Sequence, residues 1–118
     1  MPRPVYELKA ELFRTLGHPV RIRILEVLRD GEATVGDISE QVGVGGSTLS
    51  QHLATLRRAD VVTSRRDGSL LHYGVVDPRV FQLLETGRLM LTTSLESSHQ
   101  VLADLEQMQF GPPDNERG

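Results

Sequence analysis

Residues 34–68 read TVGDISEQVGVGGSTLSQHLATLRRADVVTSRRDG, and this run decides the fold. Thr34 is placed to cap a short helix from Val35 to Val42, with Asp37 at its third position as a shorter stand-in for a capping-box glutamate. Gly43 closes that helix, and Val44-Gly45-Gly46 makes a turn. A further helix then starts at Gly46 or Ser47 and runs to Ala59, with Leu49, Leu53 and Leu56 on its inner face. A short helix, a glycine-containing turn and a second helix of this size form a helix-turn-helix signature. Beyond it the period of the pattern changes from 3.6 to 2. Val62, Ser64 and Arg66 alternate with Val61, Thr63 and Arg65, Asp67-Gly68 supplies a tight turn, and the chain returns over residues 70–76. A β-hairpin set directly behind a helix-turn-helix is a wing.

Two helices precede this core. Val5, Leu8, Leu12 and Leu16 recur at helical spacing with Phe13 beside them, and Gly17 ends the first helix. His18-Pro19 opens the second, with proline where its missing N–H costs nothing; Val20, Ile24, Val27 and Leu28 form its inner stripe, and Asp30-Gly31 ends it. After the hairpin, Asp77-Pro78 opens a last helix. Along it Leu84, Arg88, Leu91, Leu95, Ser98, Leu102 and Leu105 follow the alternating four-three spacing of a helix seam. The pattern favours one continuous helix, with a break at the weak run Thr92-Thr93-Ser94 as the alternative. The expected fold is mainly α with a small β-hairpin wing: four helices, two strands and a fifth helix, in one domain over residues 1–110. Residues 111–118, GPPDNERG, are expected to be a disordered tail.

Composition narrows the function. With 38% hydrophobic and 25% charged residues, the 118-residue chain has the balance of a soluble globular protein. Its apolar runs fall far short of the roughly 20 residues needed to span a bilayer, and its start lacks the apolar middle of a signal peptide, so a cytoplasmic location without membrane partners is expected. No cysteine is present, which removes disulfides, thiolate metal sites and thiol sensing. The net charge of −3 does not favour a polyanion, but its distribution does. Arg57, Arg58, Arg65 and Arg66 face only Asp60 and Asp67 within residues 46–73, while acidic groups dominate from residue 74 onward. Local fields, rather than net charge, steer a polyanion to a surface.

On a helical wheel, Ser47, Gln51, Ala54 and Arg58 project away from the leucine stripe, with Thr48, Ser50, Thr55 and Arg57 at the flanks. Ser47, Thr48 and Gln51 lie near the N-terminus, the part of a recognition helix that meets base edges. Glutamine can pair bidentately with adenine, and hydroxyls can bond bases or phosphates. Arg65 and Arg66 point in alternate directions, so at most one faces a groove well while both can reach phosphates. The expected double-stranded DNA contacts are therefore Ser47, Thr48, Ser50, Gln51, Thr55, Arg57, Arg58, Arg65 and Arg66. His52 lies nearer the buried flank and reads as a packed, hydrogen-bonded histidine. Arg21 and Arg23 read as surface or salt-bridge residues.

The run Leu16-Gly17-His18-Pro19-Val20-Arg21-Ile22-Arg23-Ile24-Leu25, the run Ser47-Thr48-Leu49-Ser50-Gln51-His52-Leu53 and the wing Arg65-Arg66-Asp67-Gly68 together resemble the ArsR/SmtB family of winged-helix repressors. The resemblance covers residues 8–85. It implies a homodimer built on the first and last helices, two recognition helices presented to successive major grooves, and repression relieved by an effector, often a metal ion. Leu8, Leu12, Leu16, Leu84, Leu91, Leu95, Leu102 and Leu105 are then the expected interface. The family's metal ligands do not carry over. Val35 and Gly36 stand where its third-helix cysteines belong, and Asp77 is followed two residues later by Arg79 in place of histidine. Gly46 stands where many members carry a base-reading side chain, and Asp60 where they carry the glycine that ends the helix.

Other readings are weaker. Glu96 and His99 sit one turn apart with Asp104 beyond, a spacing more often found on a solvated helix face than in a metal site. Ser47, His52 and Asp60 suggest a triad only on paper, because they lie on or beside one helix and point different ways. No enzyme activity, metal or cofactor is expected. The alternatives to a homodimeric DNA-binding repressor are a winged-helix protein-docking module and a metal-responsive repressor using His99.

Overall fold

A computed structural model describes residues 2–110, with side chains described to residue 107; the expected tail lies outside the described residues. Helix α1 spans Val5–Leu16 and α2 Pro19–Leu28. Between them Gly17 ends α1, and the His18 imidazole accepts a hydrogen bond from the Val20 N–H at 3.1 Å, so a histidine occupies the N-cap in front of Pro19. A two-residue strand, β1 (Ala33–Thr34), leads into α3 (Val35–Val42). The Thr34 hydroxyl caps α3 by accepting from the Asp37 N–H at 3.2 Å, as the sequence predicts.

Helix α4 covers Gly46–Arg58. Its end is a Schellman motif: the Val61 N–H reaches the Leu56 carbonyl at 3.0 Å and the Asp60 N–H reaches the Arg57 carbonyl at 3.0 Å. This requires a left-handed residue, and Asp60 supplies it at φ 58°. Aspartate tolerates that region better than most side chains do, so the helix terminates without glycine.

Strands β2 (Val62–Asp67) and β3 (Leu70–Val75) form the wing, and β1 adds to the other edge of β3 to give the order β1-β3-β2, all antiparallel. The third strand is not visible in the sequence, because two residues are too few to show a period. The turn also differs from the Asp67-Gly68 expected. Asp67 pairs with Leu70, so the loop is Gly68-Ser69, with positive φ (63°) at Gly68 alone. That places glycine at the first central position of a two-residue hairpin, where a left-handed residue is required.

Among the described residues eleven hydrophobic side chains form the core: Leu16 from α1; Ile24, Leu25 and Leu28 from α2; Ile38 from α3; Leu49, Leu53 and Leu56 from α4; then Val61, Val62 and Tyr73. Leu25 replaces Val20 and Val27 of the predicted stripe, which are only half-buried, because α2 is covered on a broader arc than one helix partner provides. Helix α5 runs Arg79–Phe110 without a break. The Thr92 hydroxyl donates to the Arg88 carbonyl at 3.0 Å, so the weak run is satisfied within the helix. The chain divides into two compact units, Met1–Gln82 and Leu83–Gly118. The first holds the helix-turn-helix and the wing. In the second, α5 leaves Leu91, Leu95, Leu102 and Leu105 exposed, an apolar stripe that a lone helix cannot bury.

Two substitutions probe this framework. Leu53→Ala, at a side chain 2% exposed, should lower the unfolding free energy by about 2–5 kcal/mol. Asp60→Val should cost about 1–2 kcal/mol through its left-handed backbone, whereas Asp60→Gly should stay within about 1 kcal/mol of wild type. Urea midpoints at unchanged slope are the measurement.

Candidate nucleic-acid interface

The core directs one face of α4 inward and leaves the other to solvent. Leu49, Leu53 and Leu56 are buried, while Ser47, Thr48, Ser50, Gln51, Arg57 and Arg58 are all exposed. Gly45 is the N-cap of α4, and no side chain caps the helix. Ser47 and Thr48 therefore do not serve as caps. Among the described residues the side chains of Ser47, Thr48, Ser50 and Gln51 make no hydrogen bond within the chain, which leaves their donors and acceptors open to a partner. The approach to α4 is close-packed. A Cβ at Gly45 would stand 2.9 Å from the Ser39 hydroxyl, and Gly46 adopts φ 59°. Glycine at 46 thus answers a backbone requirement, and the exposed polar side chains begin one residue later.

Thr55 behaves differently from the other expected contacts. It is half-buried, its hydroxyl donates to the Gln51 carbonyl at 3.0 Å, and it accepts a long contact from Arg58 at 3.5 Å. The hydroxyl proton is engaged inside the helix, so Thr55 is a poorer contact than its wheel position suggests.

The two wing arginines are not equivalent. Arg65 donates to the Glu32 carboxylate at 2.8 Å and lies 4.0 Å from Asp67. Glu32 precedes β1 and crosses β3 at Gly74, where a Cβ would come within 3.2 Å of its side chain. The Arg65 hydrogen bond holds the Glu32 carboxyl below its ordinary value, and Glu32 raises the Arg65 guanidinium in turn. A carboxyl depressed in this way keeps the pair intact above its ordinary value near 4.5 and releases it as pH falls. At neutral pH Arg65 is partly masked, whereas Arg66 is exposed and has no ion pair among the described residues. The partner 33 positions away in sequence leaves no local signal.

His52 is half-buried toward the core side, as its wheel position predicts, and packs on His18 with ring centroids 4.3 Å apart. Arg21, read from the sequence as a surface residue, is instead half-buried: its Nε donates to the Thr15 carbonyl at 2.6 Å. Arg23 keeps its surface role, bonding the Gln41 carbonyl at 3.0 Å and lying 3.9 Å from Glu26. Of the expected interface residues, Leu8, Leu12, Leu91, Leu95, Leu102 and Leu105 are exposed and Leu84 is half-buried. Leu16 is 5% exposed within its own chain, so it belongs to the core and has little surface left for a partner. Glu96 and His99 share a face of α5 with Thr92, Leu95, Gln100 and Ala103, and Gln100 donates to Asp104 at 2.9 Å. Among the described residues no three histidine or acidic side chains stand close enough together to hold a metal.

Comparison with known proteins supplies the family. The model of the bacterial regulatory proteins of the arsR family matches residues 18–64. The HTH-type transcriptional regulator Rv0081 of Mycobacterium tuberculosis is 48% identical over 103 residues, covering 86% of this chain and 90% of that protein. The chain belongs to the arsR family. Its fold agrees with the crystal structure of Rv0081 at a TM-score of 0.74 and 45% identity, over 82% of this chain and 98% of that one. The biofilm growth-associated repressor of Xylella fastidiosa is 39% identical over 75 residues, 64% of this chain and 66% of that protein. The homodimeric winged helix-turn-helix DNA-binding domain Mb0332 of Mycobacterium bovis matches at TM-score 0.70 and 26% identity, over 79% of this chain and 86% of that one. As an arsR-family member the chain is a winged-helix DNA-binding transcriptional regulator, and no helix among its described residues is long and apolar enough to cross a membrane.

In an arsR-family regulator with this wing, Glu32→Gln should unmask Arg65. The slope of log affinity against log salt on random duplex DNA should steepen by about one phosphate equivalent, ~0.9. Fluorescence anisotropy across a salt series reads the change, and an unaltered slope would show that Arg65 does not reach the backbone.

Proposed function

We propose that the protein is a homodimeric repressor that reads an imperfect palindrome in promoter DNA through the N-terminal half of α4 and grips the flanking phosphates with its wing. The observation that carries this is the set Ser47, Thr48, Ser50 and Gln51, exposed together on one helix with their polar atoms open. The face opposite them is locked into the core by Leu49, Leu53 and Leu56. Gln51 is the base reader, with hydroxyls of Ser47, Thr48 and Ser50 meeting bases or phosphates. Arg57, Arg58, Arg66 and, once released from Glu32, Arg65 neutralise phosphate; Thr55 supports Gln51 from within the helix.

The dimer interface draws on exposed apolar residues of α1, Leu8 and Leu12, and of α5, Leu91, Leu95, Leu102 and Leu105, with the half-buried Leu84. Support comes from the homodimeric relative Mb0332 and the repressor of Xylella fastidiosa. Two-fold symmetry sets the half-sites about one helical turn, ~34 Å, apart or at a multiple of it. Without cysteine, relief of repression does not use thiol chemistry. The reading places the protein in the cytoplasm, with DNA and a second copy of itself as partners and no catalytic role.

Anisotropy titration against the promoter fragment upstream of the protein's own coding sequence, with random DNA as control, tests the reading. Tight, salt-steep and selective binding is expected; absence of binding even at low salt would overturn it. Gln51→Ala should lose about 1–3 kcal/mol of discrimination at one base position per half-site, and Arg66→Ala should weaken all duplexes alike and flatten the salt slope. Leu95→Glu, at a side chain 62% exposed, should shift the protein from dimer to monomer in sedimentation equilibrium while keeping its helix content.

A further inference from the structure

Three groups converge where α1 ends, α2 begins and α4 passes. Arg21 donates through Nε to the Thr15 carbonyl at 2.6 Å and through a terminal nitrogen to the Arg14 carbonyl at 3.4 Å. These are carbonyls of the last turn of α1, where a helix has no backbone donors of its own and favours a cation. The other terminal nitrogen of Arg21 lies 3.5 Å from Nδ1 of His52 on α4. His52 stacks at 4.3 Å and a 46° tilt on His18, whose Nδ1 accepts from the Val20 N–H at 3.1 Å. One guanidinium and two imidazoles thus join the end of α1 and the start of α2 to the middle of the DNA-reading helix.

The chemistry of these contacts fixes the protonation they need. A guanidinium has five donors and no acceptor, and a backbone N–H is a donor only. Nδ1 of His18 accepts from the Val20 N–H, and Nδ1 of His52 accepts from Arg21 when its ring is neutral with the proton on Nε2. Adding a proton at Nδ1 of His52 sets donor against donor at the Arg21 contact. It also sets a cation beside Arg21 and against a second imidazole.

We propose that His52 is a positioning residue for DNA recognition, holding α4 in its reading orientation through His18 and Arg21 only while its imidazole is neutral, so that acid loosens the helix and lowers sequence discrimination. The proposal rests on α4 being the reading helix. Burial first, then His18 and Arg21, hold the His52 pKa below the ordinary 6.5. A histidine depressed in the folded state contributes its stabilisation fully above that ordinary value and loses it as pH falls from there through the folded value. The charged or titratable groups facing His52 are His18 and Arg21 of α2; α1 contributes the carbonyls of Arg14 and Thr15, held through Arg21. Strand β2 follows α4 directly after the Val61–Leu56 closure, and its ionic residues, Arg65, Arg66 and Asp67, belong to the wing end of the strand.

The sign of the effect separates this from ordinary electrostatics. Phosphates favour imidazolium, so a histidine that touched DNA would strengthen binding in acid. Here acid should weaken specific binding. The probes are a duplex selected from a random library by the wild-type protein at pH 7.5, and an unselected duplex of equal length. Between pH 7.5 and 5.5 at fixed ionic strength, the specific-to-random affinity ratio of wild type should fall by about five- to tenfold. His52→Gln cannot titrate and should show a much flatter pH profile; His18→Asn keeps an acceptor for the Val20 N–H but removes the ring packed on His52, and should lower the ratio already at pH 7.5. Arg21→Gln should lower the ratio already at pH 7.5, with circular dichroism confirming its helix content. A wild-type ratio that is flat or rises in acid would overturn the proposal, as would an unchanged acid loss in His52→Gln. Nitrogen-detected NMR titration of the two rings, made without DNA, tests the cluster independently. Both rings should carry their proton on Nε2 at pH 7.5, and protonation of His52 should move the amide signals of residues 14–18. An Nδ1–H tautomer for His52, or an unmoved α1 terminus, overturns the proposal even if DNA binding is normal. Failure to bind any duplex at pH 7.5 would instead sink the DNA reading and leave the ring titration to decide the cluster.

Discussion

The burial of Leu49, Leu53 and Leu56 is the constraint on which the rest of this molecule depends. Each is at most 2% exposed, and full burial of such a side chain contributes roughly 1.5–3 kcal/mol. Because the three fall on one stripe, their burial also fixes the rotation of α4 about its axis. A rotation of a quarter turn would drive Thr48 or Arg57 into the core, where an unpaired polar group costs several kcal/mol. Recognition chemistry is therefore oriented by the hydrophobic effect. The exposed side chains of Ser47, Thr48, Ser50 and Gln51 make no hydrogen bond among the described residues, so they take no part in holding the helix in place.

The elements around α4 contribute in different ways. The turn before it is tight enough that Gly45 leaves no room for a Cβ beside Ser39. The end is sealed by the Schellman bonds at Asp60 and Val61, which hand the chain directly to the wing. The side is held by polar contacts from His18 and Arg21, which join it to the carbonyl end of α1. Apolar packing sets where α4 lies. Backbone closure sets where the wing departs, and the polar cluster is the one restraint whose strength depends on protonation.

Charge is arranged by tertiary proximity as much as by sequence. A net charge of −3 and an arginine-rich middle are plain in the composition. The crossing of Glu32 over Gly74 to Arg65 is not, and it divides two adjacent arginines into one that is internally compensated and one that is not. An exposed pair of this kind adds little to stability; what it changes is the charge that Arg65 presents to solvent.

The sequence by itself determined the order of the helices and the wing, the cap at Thr34, the helix start at His18-Pro19, and the polar face from Ser47 to Arg58. These are local or periodic features, and a side chain's offset along a helix or its fit to a turn is written within a few residues. The same holds for the continuous last helix, whose four-three pattern outlasts its weak run. Tertiary structure alone decided the rest: the two-residue β1, the hairpin loop at Gly68-Ser69, Leu16 and Leu25 in the core, Glu32 against Arg65, and Arg21 against both α1 and His52. Each depends on segments brought together across a fold, and no spacing rule records which of several nearby donors a carbonyl or carboxylate will meet. The reading helix was legible because its pattern is periodic, and the polar cluster that holds it was not, because its three members come from the ends and middles of different helices.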